Sequence, residues 1–262
     1  MADFRAVFST PKPIIGMIHL PALPGYPGSK GINYTIRRAV ADLRALEDGG
    51  ADGVLIENEH DRPHRVEAAP ETIAAMTRIT RAVVQESETV VVGCEILLND
   101  PRASLAVARM AGAQFIRTDY FVDRMTRPEY GEFAIDPDAL LKYRSQIGAE
   151  RVLILADIQV KYASMVTPRS LRESAALARI KGADAVIVTG DASGDAPTVE
   201  HLRESAGHGL PVLIGSGLRP DNAEALLAEC DGAIVGTSII KDGSVNPDSL
   251  ELLMSHARRQ RK

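Results

Sequence analysis

Val212-Leu213-Ile214-Gly215-Ser216-Gly217-Leu218 and its companion Ala233-Ile234-Val235-Gly236-Thr237-Ser238-Ile239 decide how the chain is read. Each opens on an apolar run long enough for a buried strand and turns at once on glycine. Glycine has no Cβ, so its N–H can approach an anion closely, and successive amides form an anion-binding concavity. Two adjacent strand–loop units of this kind, last in a chain of alternating strands and helices, point to the phosphate cup of a (β/α)₈ barrel.

Working outward, six further apolar runs read as strands: Ile14–Leu20, Val54–Glu57, Val90–Ile96, Phe115–Arg117, Val152–Asp157 and Ala185–Val188. With Val212–Ile214 and Ala233–Val235 they make eight. They are apolar at consecutive positions, as parallel strands covered by helices require. Between them lie helical stripes such as Ile73, Met76, Ile79 and Val83. Pro70, Pro101, Pro168, Pro220 and Pro247 stand near helix starts, with Asp100 and Thr167 as N-caps. Gly50-Ala51-Asp52, Gly112-Ala113-Gln114, Gly182-Ala183-Asp184 and Cys230-Asp231-Gly232 each lead into every second strand. Duplication of a half-barrel and repeated use of one good turn both account for this phrase. The fold class is therefore α/β: one TIM-barrel domain over residues 1–262, of the ribulose-phosphate-binding-barrel type. The length of 262 residues fits a barrel of roughly 250.

Composition excludes several roles. The net charge of −5 offers no global field for nucleic acid or an anionic membrane. No apolar run spans a bilayer, and Met1–Thr10 lacks the apolar core of a signal peptide. Cys94 falls on the third strand and Cys230 just before the eighth, which are not neighbours, so no disulfide is expected and a reducing cytoplasm is. Cys94 reads as a small buried hydrophobe rather than a nucleophile. A homo-oligomer is compatible with this reading.

In a parallel barrel the C-terminal strand ends share one face with the long loops, and that face carries function. Reading off those ends gives His19, Glu57, Glu95, Asp157 and Lys161 as catalytic candidates. Asn58, Glu59, Arg117, Asp119 and Thr189 are candidates for holding substrate. Gly190, Gly215, Ser216, Gly217, Gly236 and Thr237 are candidates for phosphate. Carboxylates ending apolar runs are costly unless paired, metal-bound or able to change protonation. Three readings follow: acid–base chemistry, a divalent metal held with His19, or salt bridges to Arg117 and Lys161 that only secure the barrel mouth. Asp157 is expected to be the most reaction-critical acid, with Lys161 as its electrostatic partner. His60, Arg62, His64 and Arg65 form a basic cluster after the second strand, suited either to an anion or to solvent. The longest irregular stretch, Thr118–Ile135, holds Tyr120, Phe121, Tyr130 and Phe133 and reads as a lid or interface. The proline-rich segment after the first strand, Pro21–Ser29, reads as a stiff wall.

Gly16-Met17-Ile18-His19-Leu20-Pro21-Ala22-Leu23-Pro24-Gly25, Glu57-Asn58-Glu59 with Asp61-Arg62-Pro63, Ala156-Asp157-Ile158 with Lys161, and Gly215-Ser216-Gly217 together resemble the BtpA family. The resemblance spans essentially the whole chain and implies a TIM barrel related to phosphate-binding barrels. The family takes its name from a factor needed for photosystem I accumulation in cyanobacteria, and its members also occur in organisms without photosynthesis. Members often carry histidine after the lysine, where this chain has Tyr162. Two functional classes follow. One is an enzyme acting on a phosphorylated sugar or nucleoside-derived molecule as an isomerase, epimerase, lyase or glycosidic hydrolase. The other is a non-catalytic assembly or stability factor.

Overall fold

A computed structural model describes residues 3–261. The strands are β1 (Ile14–His19), β2 (Gly53–Glu57), β3 (Val91–Glu95), β4 (Phe115–Thr118), β5 (Met125–Arg127), β6 (Gly131–Phe133), β7 (Leu153–Ile158), β8 (Ser164–Met165), β9 (Ala185–Val188), β10 (Val212–Ile214), β11 (Gly232–Val235), β12 (Ile240–Lys241) and β13 (Ser244–Val245). Eight of them close a parallel barrel in the order β1-β11-β10-β9-β7-β4-β3-β2. This is the expected TIM barrel, and the eight expected strands match it with end shifts of at most one residue. The helices are α1 (Phe4–Val7), α2 (Ile32–Asp48), α3 (Pro70–Glu86), α4 (Pro101–Ala111), α5 (Pro137–Gln146), α6 (Leu171–Ile180), α7 (Val199–Ser205), α8 (Ala223–Ala228) and α9 (Pro247–Arg259). None of these is long and apolar enough to cross a membrane.

Period-two alternation sorts the strand residues. Met17, Leu55, Phe115, Leu155, Ile187, Leu213 and Ile234 fill the barrel interior. Their alternates face the outer helices in a second, larger apolar cluster. Phe115 needs space inside, and Gly93 supplies it: a Cβ there would stand 2.3 Å from the Phe115 ring. The interior is stoppered at its amino end. A short helix, α1 (Phe4–Val7), brings Phe4 and Phe8 under the barrel, with the Phe8 ring 5.6 Å from Phe115.

The repeated phrase has a physical cause. Asp52, Asp184 and Asp231 each accept, through a side-chain oxygen, the first or second amide of the preceding barrel strand, from Ile14 and Ile154 at 2.8 Å and Val212 at 2.9 Å. Gln114 does the same for Val92 at 3.4 Å. The left-handed glycines Gly50, Gly112 and Gly182 end the helix before each of three such links.

Helix starts bear out the prolines and correct one cap. Pro70, Pro101 and Pro247 open helices α3 (Pro70–Glu86), α4 (Pro101–Ala111) and α9 (Pro247–Arg259), the last of the chain, and Asp100 caps α4. Pro168 and Pro220 lie in the loops before α6 (Leu171–Ile180) and α8 (Ala223–Ala228). The N-cap of α6 is Ser170 rather than Thr167, because Ser170 completes a capping box with Glu173. The long loop after β4 is not irregular. β5, β6 and β8 form a three-stranded antiparallel sheet at the C-terminal mouth. Tyr120 stacks on Phe133 at 5.0 Å beneath it, with Leu98, Met125 and Val160. Cys94 and Cys230 are buried free thiols.

Candidate functional site

One step beyond the apolar interior, the inward positions turn polar. Continuing the alternation upward gives His19, Glu57, Glu95, Arg117, Asp157 and Thr189 on successive strands, then Gly215 and Gly236. Strand pairing sets His19 beside Glu57 and Glu57 beside Glu95 in one row. All of these residues except Asp157 and Thr189 line the floor of a cavity of about 690 Å³, walled by the loops and by the small sheet. Its size suits a small-molecule ligand.

Arg117 is the hub. Its Nε donates to Asp157 Oδ2 at 2.7 Å and its Nη2 to Asp157 Oδ1 at 3.1 Å, a bidentate pair with both side chains buried. Glu95 Oε2 stands 3.8 Å from Arg117 Nε, inside ion-pair range but too far for a hydrogen bond. Both Glu95 oxygens are buried with no partner. Burial opposes the guanidinium's charge, but Asp157 and Glu95 outweigh it and hold Arg117 firmly protonated.

The surrounding acids move the other way. Burial drives Glu57 up to about 7, against the pull of Arg117 and with a push from Glu59. Burial and the Asp157 charge drive Asp119 up to about 7. Glu95 rises well above the carboxylate range through burial, helped by Asp119, Glu57 and Asp157. His19 is lowered by burial, with His60 and Lys161 acting in the same direction. The floor thus carries carboxyls poised at neutral pH beside a fixed cation.

Each residue singled out in the sequence has a definite place. His19, Glu57, Glu59, Glu95, Arg117, Asp119 and Lys161 line the cavity, as do Gly215, Ser216, Gly217, Gly236 and Thr237. Asp157, Asn58, Thr189 and Gly190 do not. Asp157 is fully buried and belongs to Arg117, so its expected partnership with Lys161 is corrected. Lys161 makes no ion pair with any described residue. Asn58 braces two loops, giving a hydrogen bond to Asp61 at 3.0 Å and taking one from the Leu97 amide at 2.8 Å. Thr189 is buried under the glycine wall, its methyl 2.7 Å from where a Gly215 Cβ would sit.

The expected phosphate cup is narrower than the sequence implies. The Gly215 amide bonds Val188 O in the barrel ladder at 2.9 Å. The Gly190 amide donates to Ser216 Oγ at 3.1 Å, and Ser216 Oγ donates to Asp195 O at 2.6 Å. The amides of Gly217, Gly236 and Thr237 have no acceptor among the described residues. Of the basic cluster, Arg62 and His64 reach the cavity, Arg62 in an ion pair with Glu59. His60 is turned away, its Nδ1 2.8 Å from Leu20 O. No three histidine, cysteine or acidic side chains converge on a metal position among the described residues. With Arg117 in their midst, the strand-end carboxylates do not fit the divalent ion the sequence allows.

Tyr130, named within the loop read as a lid or interface, lines the cavity, as do Arg127, Glu129, Tyr162, Ser193 and Gly194, which were not among the site candidates. The same aromatic loop was the available signal for Arg127 and Glu129. The Tyr162 hydroxyl accepts from the Ser193 amide at 2.7 Å, which joins the small sheet to the loop after β9.

A sequence model of the BtpA family matches residues 10–258. The chain belongs to the BtpA family. Among its relatives, an Archaeoglobus fulgidus protein is 36% identical over 94% of this chain and 99% of its own length. The photosystem I biogenesis protein BtpA of Synechocystis is 34% identical over 93% of this chain and 86% of its own. Among solved structures, the barrel resembles thiamine phosphate pyrophosphorylase from Pyrococcus furiosus, with a TM-score of 0.61, 17% identity, and coverage of 98% and 99% of the two chains. It also resembles N-(5'-phosphoribosyl)anthranilate isomerase from Pyrococcus furiosus, with a TM-score of 0.59, 14% identity, and coverage of 95% and 99%. At these identities the BtpA-family chain shares a fold with those enzymes.

Proposed function

We propose that the protein is an enzyme that transforms a phosphorylated sugar or nucleoside-derived small molecule by acid–base chemistry at the C-terminal barrel mouth. One observation carries this reading: three buried carboxyls with raised pKa, Glu57, Glu95 and Asp119, share one cavity wall with Arg117. Burial of that kind costs stability, and a scaffold gains nothing from it. In this proposal the free amides of Gly217, Gly236 and Thr237 hold the phosphate. Glu57 and Asp119, near neutrality, exchange protons with the substrate. Glu95 donates a hydrogen bond in its protonated form, and Arg117 steadies developing negative charge. The two free buried thiols suit a reducing compartment, so we place the work in the cytoplasm.

The name of the Synechocystis relative favours a second reading, a factor that supports assembly without turnover. Ligand binding and mutagenesis separate the two. Ribose 5-phosphate is expected to raise the melting temperature of the wild-type protein. Gly236→Val, which places bulk at an open amide, removes that increment relative to its own baseline. Screening phosphorylated metabolites for turnover comes next. Glu57→Gln should cut turnover by about 10²-fold or more while leaving the thermal increment intact. Near-normal turnover by Glu57→Gln would move the proton chemistry elsewhere. Absence of both phosphate binding and turnover would favour the assembly factor.

A further inference from the structure

The cavity has a second wall with its own chemistry. Arg127 closes β5, facing Gly131 across the small sheet. Its guanidinium carbon stands 5.8 Å from the centroid of the Tyr130 ring and 5.8 Å from that of Tyr162. Its Nε is sealed from solvent and has no hydrogen-bond partner. The nearest carboxylate oxygen, on Glu129, is 4.0 Å away. The hydroxyl of the buried Tyr120 lies within reach of the Arg127 guanidinium but makes no hydrogen bond of good geometry. Leu97, Leu98 and Val160 make the adjoining surface apolar. Tyr162 is fixed at both ends, its amide donating to Asp191 O at 3.2 Å and its hydroxyl accepting from Ser193.

A buried donor without an acceptor is costly and marks a place where something else is meant to bind. A pentose phosphate reaching from the glycine amides to the carboxyls leaves much of the 690 Å³ empty. What remains is bounded by a flat guanidinium, aromatic faces and aliphatic side chains. Flat, apolar-faced and short of an acceptor, that space fits a planar ring with an oxygen acceptor on its edge.

We propose that the ligand is a conjugate of a sugar phosphate with a planar aromatic or heterocyclic ring, and that Arg127, flanked by Tyr130 and Tyr162, recognises a carbonyl or carboxylate oxygen on that ring. This rests on the phosphate-anchored reading of the same site and names its substrate class. The geometry also orients the ligand. The phosphate lies against β10 and β11, the ring lies under β5 and β6, and the sugar–ring bond falls over Glu57, Glu95 and Asp119.

Calorimetry with ribose 5-phosphate and uridine 5'-monophosphate on the full chain tests it. Both share the phosphate and the pentose, and only the second carries a ring with carbonyls. The nucleotide is expected to bind at least about fivefold tighter, the low end of what base–aromatic stacking supplies. Arg127→Leu and Arg127→Lys should both erase that preference while ribose 5-phosphate affinity stays within about twofold. Lysine keeps the charge but loses the planar fork, so its failure to rescue identifies recognition by shape. Tyr162→Leu, which removes the second ring flanking Arg127, should reduce the preference in the same direction. If ribose 5-phosphate binds and the nucleotide binds no tighter, the ring subsite is overturned and the phosphate reading stands. A preference that survives in both Arg127 variants overturns the role of Arg127. Binding of neither ligand overturns both readings together.

Discussion

Arg117 and Asp157 show how one residue can look catalytic in a sequence and prove to be a foundation. Asp157 stands near the end of a barrel strand, as a reacting acid would, yet both its oxygens are taken by the Arg117 guanidinium. Its effect on any reaction therefore runs through the position of Arg117. Asp157→Asn leaves a buried cation short of its counter-charge, which costs about 3–5 kcal/mol when a buried pair is broken. Urea unfolding should show that loss as a lower midpoint at unchanged slope. A loss below about 1 kcal/mol would mean that Glu95, 3.8 Å from Arg117, ionises and takes over the pairing. The strand-end rule identified the ring of polar residues because the fold forces those positions inward. It could not tell which acid faces the cavity and which lies beneath Arg117. That distinction depends on a contact between residues 40 apart. The amides of Gly190 and Gly215 were unreadable for the same reason: glycine at a turn shows that an amide can be offered, not that it is free.

At the scale of elements, the barrel was legible because its signals are local. A buried parallel strand is a short apolar run, and eight of them in alternation with amphipathic helices leave few other folds. The recurrent Gly-Ala-Asp phrase was visible, but its cause required the register. Each acidic side chain ties the start of its own strand to the start of the one before. Asp231 makes this bond to the Val212 amide, so Asp231→Ala should cost about 1.5 kcal/mol in chemical unfolding. Asp231→Asn, which keeps the acceptor, should recover most of that. Equal losses would point to the aspartate's charge instead. The small sheet of β5, β6 and β8 stayed hidden, since strands of two or three residues carry almost no periodic signal and their pairing joins segments that β7 separates. The α6 start was misread by one motif: a proline suggested the boundary, while the Ser170–Glu173 capping box set it three residues later.

For the whole molecule, the raised acids tie stability to pH. Glu57 and Asp119 have ordinary values of 4.5 and 3.8 when unfolded and about 7 when folded. The folded state therefore holds protons that the unfolded chain has lost, and stability from these groups falls as pH rises. That contribution is complete below about pH 4 and is lost as pH passes through about 7. Melting curves should show the wild type losing more stability from pH 4.5 to 7.5 than a Glu57→Gln, Asp119→Asn double variant does. Parallel curves would show that neither acid titrates late. The aromatic stopper under the barrel has a consequence for traffic. With Phe4 and Phe8 closing the amino end, the chamber is a cul-de-sac. Whatever enters at the loops must leave by the same doorway, and no leaving fragment has a rear exit. Departure of one occupant gates arrival of the next, so a phosphate-bearing product should compete directly with its own precursor for the vestibule.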